Sequence, residues 1–339
     1  MSTATQYYVT ILLIYLGVDA MACLGLNLQF GVTGLVNFGF ILFQATGAYT
    51  AAVLTLGPAS ANGGYQQYIG GATLPFPLPI LAAAVVGGVL SLLVGFIGLR
   101  RLRTDYQAIT LLAVSLIGAT IATNQVGLVN GANGLSLVPH PLSDVLNLDP
   151  VSYAWVYVGI TAAFFFLTWL LVHRITSSPL GRTLRGVRES EAVAASIGKD
   201  VVRLKLMAYV LGGAIAAVSG ALLVEFITAW SPSSWLPAET FVYFAAVIVG
   251  GAGNNFGAIF GAALVPVTFI EASQYIPAFG RPGLIESVQW IVIGLLIALF
   301  LWVRPGGIFP ERRRRYPKAR TAGDGPPEPR PESIAQQLN

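Results

Sequence analysis

The sequence predicts an all-α, polytopic transmembrane helical bundle of about eight to ten membrane segments, two of them discontinuous. Three observations carry that prediction. Of 339 residues, 55% are hydrophobic and 10% charged, against roughly a quarter charged in ordinary soluble domains, and the mean hydropathy is +0.71. Apolar runs of about 20 residues recur along the chain, the length a helix needs to cross the hydrocarbon core. The cations cluster in a few places instead of being spread over a surface. Such a composition excludes a cytosolic enzyme and a nucleic-acid binder. Cys23 is the only cysteine, so no intrachain disulfide forms and a secreted disulfide scaffold is excluded. His140 and His173 are too few and too far apart for a zinc site of the usual spacings.

Taken in order, the full-length spans are Tyr8 to Leu28, Leu78 to Leu99, Gln107 to Thr123, Tyr153 to His173, Leu206 to Ile227 and Glu286 to Val303. Asp19 interrupts the first run and no basic segment precedes it, so a cleavable signal peptide is not expected. Two further regions are apolar but interrupted. Phe30 to Leu56 contains Gly31, Gly34, Asn37 and Gly39; Glu239 to Ile270 contains Gly250, Gly251, Gly253, Asn254, Asn255 and Gly257. Both read as short helices joined by irregular backbone, which is tolerated at membrane depth only where protein or a wet cavity satisfies it. Asn37-Phe38-Gly39 and Asn255-Phe256-Gly257 recur, each followed by a Gly-Ala pair at Gly47 and Gly261. The recurrence suggests an internal duplication with a break near the midplane in each copy.

Lys and Arg are retained on the cytoplasmic side of a bilayer. Eighteen of the 19 cations fall after the Leu78 span, within 174–205, or from Arg304 onward, with Arg281 the exception. These segments are therefore expected inside, and 57–77, 124–152, 228–238 and 271–285 outside, with about nine passes and a cytoplasmic C-terminus. The membrane domain is expected over 1–310, and 311–339, rich in Pro, Arg and Gly, as a disordered tail whose Arg312 to Arg315 run meets anionic lipid.

The 174–205 loop carries an amphipathic pattern. Ser178-Pro179 offers an N-cap and a first-turn Pro. Leu180, Leu184, Val187, Ala194 and Ile197 share a stripe, Arg182, Arg185, Arg188 and Glu189 take the other side, and Gly198 suits a left-handed cap. A helix over 178–198, broken in two or continuous, follows. Glu189 and Glu191, with small residues at Ala192, Ala194 and Ala195, favour docking in a protein groove over resting on anionic lipid. Asn37, Gln44, Asn254 and Asn255 are the polar candidates for a mostly apolar pathway, with Phe38 and Phe256 as gates; structural amides are the competing reading. Gly212, Ala216 and Gly220, and Gly213, Ala217 and Ala221, form small-residue stripes for close helix contact, with a neighbour in this chain or in another.

The ordered motifs resemble the permeases of branched-chain amino-acid ABC transporters, the LivM branch of the LivH/LivM family. They run from Gly25-Leu26-Asn27-Leu28 with Gly31-x-x-Gly34 and Gly47-Ala48-Tyr49, through Arg101-Leu102-Arg103-x-Asp105-Tyr106, Asn133-Gly134-Leu135-Ser136 and Ser231-Pro232-Ser233, to Gly250-Gly251-x-Gly253 and Arg304-Pro305-x-Gly307. The loop contributes Gly181-Arg182-x-x-Arg185-x-x-Arg188-Glu189-x-Glu191-Ala192-x-x-Ala195-x-x-Gly198. Two positions depart from the pattern: Phe40 follows Gly39 where many relatives have His, and Thr104 stands where Gly is usual. The resemblance implies a permease subunit of the bacterial inner membrane that imports amino acids, branched-chain ones first, with urea, short amides or another small polar solute as alternatives. It implies a second homologous permease, two cytoplasmic ATPases that bind the ATP, an extracytoplasmic binding protein, and no cofactor or nucleic acid of its own. The loop residues just named would couple to the ATPases. Independently, Lys199, Lys205 and Lys318 are the only lysines and none follows a Walker A run, so energy must come from a partner or an ion gradient. An ion-coupled secondary transporter is the rival; it needs carboxylates at membrane depth, and Asp19 is the one acid near the middle of an apolar run.

Overall fold

The computed structural model describes residues 3–60, 64–101, 104–146, 148–273 and 283–311. Its helices are α1 (Thr3–Leu26), α2 (Phe40–Leu56), α3 (Leu78–Arg101), α4 (Thr104–Asn124), α5 (Val126–Val129), α6 (Ser143–Leu146), α7 (Pro150–Ser177), α8 (Pro179–Glu189), α9 (Glu191–Ser196), α10 (Val201–Ile227), α11 (Thr240–Gly250), α12 (Asn255–Ala262), α13 (Ile270–Ser273) and α14 (Leu284–Val303). Among the described residues only isolated bridges represent β-structure, so the fold is the all-α bundle expected. Among the described residues seven helices are long and apolar enough to span a membrane, and Phe40–Leu56 and Asn255–Phe269 are shorter apolar helices.

The chain starts at one end of the bundle and α1 runs to the other, where the 174–205 loop sits. That end also holds the C-terminal segment: Ile308 N and Phe309 N donate to the carbonyls of Val249 and Gly250, at 2.8 and 2.9 Å. The opposite end is closed by loops. Leu135 and Trp230 exchange two backbone hydrogen bonds of 2.8 Å, and Gln66 binds the backbone of Ser136 through both amide atoms.

Helix α10 is the axis, packed by α1, α2 and α3. Its small-residue stripes serve contacts inside this chain. A Cβ on Gly212 would press on Gln29, one on Gly213 on Ser91, and one on Gly220 on the carbonyl of Gln44; Gly47 and Gly87 both face Ala217. Backbones at that separation exclude lipid and maximise dispersion contact.

Residues 228–238, expected outside, are partly folded into the bundle: Ala229, Ser233, Ser234, Leu236 and Ala238 are exposed, whereas Pro232, Trp235 and Pro237 are buried, and Trp235 Nε1 donates to Tyr49 Oη at 3.3 Å. The segment folds back along α2 because its large aromatic ring needs burial and α2 offers a hydroxyl for its N–H. The helix breaks meet each other and α8 through Asn27, Gly253 and Arg188, and the first runs on to Gly39, which lies against the Leu111 carbonyl of α4. Residues 27–32 and 263–269 are π-helical, the second around Pro266, whose missing N–H loosens the ladder.

Candidate functional site

The two breaks share a local device. Asn37 Oδ1 accepts from Gly39 N at 3.1 Å and Asn254 Oδ1 from Phe256 N at 3.0 Å, each amide closing a two-residue turn just before a helix starts. The turn residue equivalent to Asn37 is therefore Asn254, one position before the triplet match read from sequence. Asn37 Nδ2 donates to Gln29 Oε1 (2.9 Å), whose own Nε2 donates to the Tyr209 carbonyl (2.8 Å). Asn254 Nδ2 donates to the Phe309 carbonyl at 3.2 Å. Asn255 Nδ2 donates to Thr176 Oγ1 (3.0 Å), and its Oδ1 accepts from Asn27 Nδ2 (3.1 Å). Asn27 Oδ1 accepts from Gly253 N at 2.8 Å, so this one amide links both breaks. Asn27, Gln29 and Thr176 were not singled out as site residues from sequence. Asn27 and Gln29 lie inside a helical apolar run, where an interrupted backbone is the one signal that asks for an amide.

The arginines of the loop helix turn toward this junction. Arg188 Nη1 donates to the Gly31 carbonyl, and its Nη2 lies 2.7 Å from Glu311 Oε2. Arg185 Nε lies 2.5 Å from Glu311 Oε1, and Arg185 Nη1 donates to the Thr176 carbonyl at 3.0 Å. Glu311, one residue beyond the expected domain end, thus ties the C-terminal segment to α8 and through it to the first break.

The loop folds as two helices. Ser178 and Ser190 cap α8 and α9 by accepting from Gly181 N and Val193 N; Pro179 holds the first position, and Gly198 ends α9 at φ +79°. Gly181 lies so close to the carbonyls of Ile175 and Thr176 that a side chain has no room. Leu184, Val187 and Ala194 face the bundle as the stripe predicts, whereas Ile197 is exposed. Glu191 pairs with the buried Lys205 at the start of α10. The outer side carries a groove of about 440 Å³ bordered by Pro179, Arg182, Gly186, Val193 and Ile197. Val193 and Ile197 are 61% and 68% exposed there. Glu189, Ala192 and Ala195 are exposed near it.

Gln44 and Asp19 come together within the bundle. Tyr243 Oη lies 3.0 Å from Gln44 Oε1 and 3.2 Å from Asp19 Oδ1, while Gln44 Nε2 has no hydrogen-bond partner among the described residues. A phenol has one proton, so it cannot donate to both. With the Gln44 amide turned over, Nε2 donates to Tyr243, Tyr243 donates to Asp19, and the free atom is an acceptor. Phe38 packs on Phe241 and Phe244, at centroid distances of 5.2 and 5.4 Å, and it is Phe40 whose ring meets Tyr243, at 6.1 Å. Phe256 is elsewhere: it is 62% exposed at the loop end, edge-on to Phe309. The two phenylalanines expected as a pair of gates are not brought together.

Since the junction amides are satisfied by protein, Asn37→Leu and Asn255→Leu should act first on the fold. Each leaves buried partners unpaired, at about 1–3 kcal/mol per group. The purified variants should melt several degrees below the wild-type protein, and unchanged melting would detach both amides from the fold.

Interrupted helices joined to an amphipathic loop, within a bundle that has seven candidate spans among the described residues, define a polytopic membrane protein, and its family match makes it a transport permease. The family model described as "Branched-chain amino acid transport system / permease component" matches residues 8–301, and the chain belongs to that family. It is 28% identical to the "Probable branched-chain amino acid transport permease protein LivM" of Methanocaldococcus jannaschii, covering 90% of this chain and 94% of that one. It is 29% identical to the "High-affinity branched-chain amino acid transport system permease protein LivM" of Escherichia coli, over 86% of this chain and 67% of the other. The LivH protein of Salmonella typhimurium, named for the same kind of system, is 24% identical over 85% and 90%. No solved structure matches.

Proposed function

We propose that this chain is a permease subunit of an ATP-driven importer that carries branched-chain amino acids across the cytoplasmic membrane. The observation that carries the reading is the family match together with the loop groove, whose exposed Val193 and Ile197 leave an apolar rim for another protein to cover. A second homologous permease is the natural partner, because relatives named LivM and LivH both align along most of the chain. Two ATPases would dock on α8 and α9 and bind the nucleotide, and an extracytoplasmic binding protein would meet the opposite end. Arg185 and Arg188 would act from behind the docking face: an ATPase that pushes α8 pulls on Gly31 and on the first break through Arg188. Movement of the breaks would open the aromatic cluster around Phe38 and admit substrate past Asp19, Gln44 and Tyr243.

Proteoliposomes holding this chain, the partner permease and the ATPases, supplied with loaded binding protein, should accumulate leucine only with ATP, and urea not at all. Uptake driven by a proton or sodium gradient without ATPases would sink the reading. Orientation is tested by cysteine labelling in a Cys23→Ser background. An impermeant maleimide should label Tyr65→Cys in intact cells and leave Lys199→Cys untouched; the reverse pattern would invert the topology.

A further inference from the structure

At the end of the bundle opposite the loop lies a cavity of about 200 Å³, bordered by the ends of α2 and α10 and the start of α3. Leu74, Phe76, Pro79 and Pro141 make most of its wall apolar. Into this wall is set one carboxylate. Glu225 is 1% exposed, and its Oε2 has no hydrogen-bond partner among the described residues. The three ion pairs found among those residues join Arg185 and Arg188 to Glu311 and Lys205 to Glu191, so none of them neutralises Glu225. The His140 ring also borders the cavity, with Nδ1 3.1 Å from the Glu225 backbone carbonyl. A carbonyl only accepts, so Nδ1–H donates there, and Nε2 is the ring atom left for another partner. Thr55 and Ser143 also border the cavity, but their hydroxyls donate to the carbonyls of Ala51 and His140, and no Lys or Arg faces Glu225 there.

A buried carboxylate without a partner is costly, and pairing with a cation removes the cost. We propose that this cavity binds a small primary ammonium with a short apolar tail, the N–H groups donating to Glu225 and the tail resting on Leu74 and Phe76. An ammonium brings three donors to a carboxylate oxygen that has none and to hydroxyl oxygens whose own protons are already committed. No Lys or Arg borders the cavity, so a free carboxylate on the ligand must point outward. An amino acid with a branched apolar side chain meets these demands, and that choice of natural occupant rests on the importer reading. The pocket then holds substrate at the entry end before it crosses.

The test uses the purified permease complex in nanodiscs, without binding protein, and titrates 3-methylbutylamine by calorimetry. Wild type should bind the amine and should not bind 4-methylpentanoate, which has a comparable branched tail but a negative head. Glu225→Gln should weaken amine binding about tenfold or more, the worth of a charge-assisted hydrogen bond. Leu74→Trp, which fills the cavity and keeps the carboxylate, should do the same. No amine binding by wild type, equal binding of amine and acid, or full binding by folded Glu225→Gln would each overturn the proposal. ATP-driven leucine uptake by the same wild-type complex is read separately. Uptake without amine binding rejects the pocket alone; Glu225-dependent amine binding without uptake rejects the importer reading alone.

Discussion

Gly47→Leu is expected to abolish the folded permease. Gly47 sits in α2 where that helix crosses α10, and even a Cβ at this position would overlap the backbone of Ala217. Backbone cannot swing aside as a side chain can, so the two helices must separate. Separation would pull α2 from the longest interface in the bundle and break the neighbouring contacts of Gly213 and Gly220. Inserting methylenes into a packed core costs about 1–3 kcal/mol where neighbours can adjust, and more where they cannot. Gly47→Ala should already cost near the top of that range. The control is Gly294→Leu on α14, where nothing lies within 4 Å of a built Cβ. Fluorescence-detected size exclusion of detergent extracts should show no folded peak for Gly47→Leu and a normal one for Gly294→Leu. A normal Gly47→Leu peak would mean that α2 and α10 do not pack as described.

Glu311→Lys should separate folding from transport. Glu311 holds two guanidinium groups at 2.5 and 2.7 Å, with side-chain exposures of 19% for the acid and 27–30% for the arginines. Exposed ion pairs contribute about 0–1 kcal/mol, but here one partly buried carboxylate bridges two arginines, one on each oxygen, and joins segments 123 positions apart. Reversal puts three cations together, which should drive the C-terminal segment off α8 and free Arg188 from the first break. The bundle itself, held by α10, should persist. The expectation is normal permease in the membrane and at least a tenfold fall in ATP-dependent uptake, on the proposal that α8 transmits the ATPase stroke. A double-mutant cycle on Glu311→Ala and Arg188→Ala should give a coupling energy of about 1–3 kcal/mol in melting experiments. Additive losses, or wild-type uptake by Glu311→Lys, would reduce the clamp to a surface contact.

Sequence alone determined what local chemistry determines. Spans were legible because a lipid-facing helix must be apolar over a fixed length, and α3, α7 and α14 lie within a few residues of the runs read for them. The loop helices were legible because caps act within three residues: Ser178, Pro179 and Gly198 do there what those residue types do anywhere. The interrupted regions were legible from clustered Gly and Asn. Only the tertiary structure decided which partners those residues find. The α10 stripes contact helices of this chain, a fact that spacing cannot hold because any close helix would satisfy it. Arg185 and Arg188 occupy the polar side of an amphipathic helix, a place compatible with water, lipid or a partner. They turn to the bundle because Gly31 and Thr176 present carbonyls there and Glu311 returns beside them from the far end of the chain. The distribution of cations put segment 228–238 outside but could not show that Tyr49, nearly two hundred positions away, takes the Trp235 N–H as that ring is buried. The last two outcomes are each set by a polar group finding its partner across the fold, and a one-dimensional pattern shows the group without the partner.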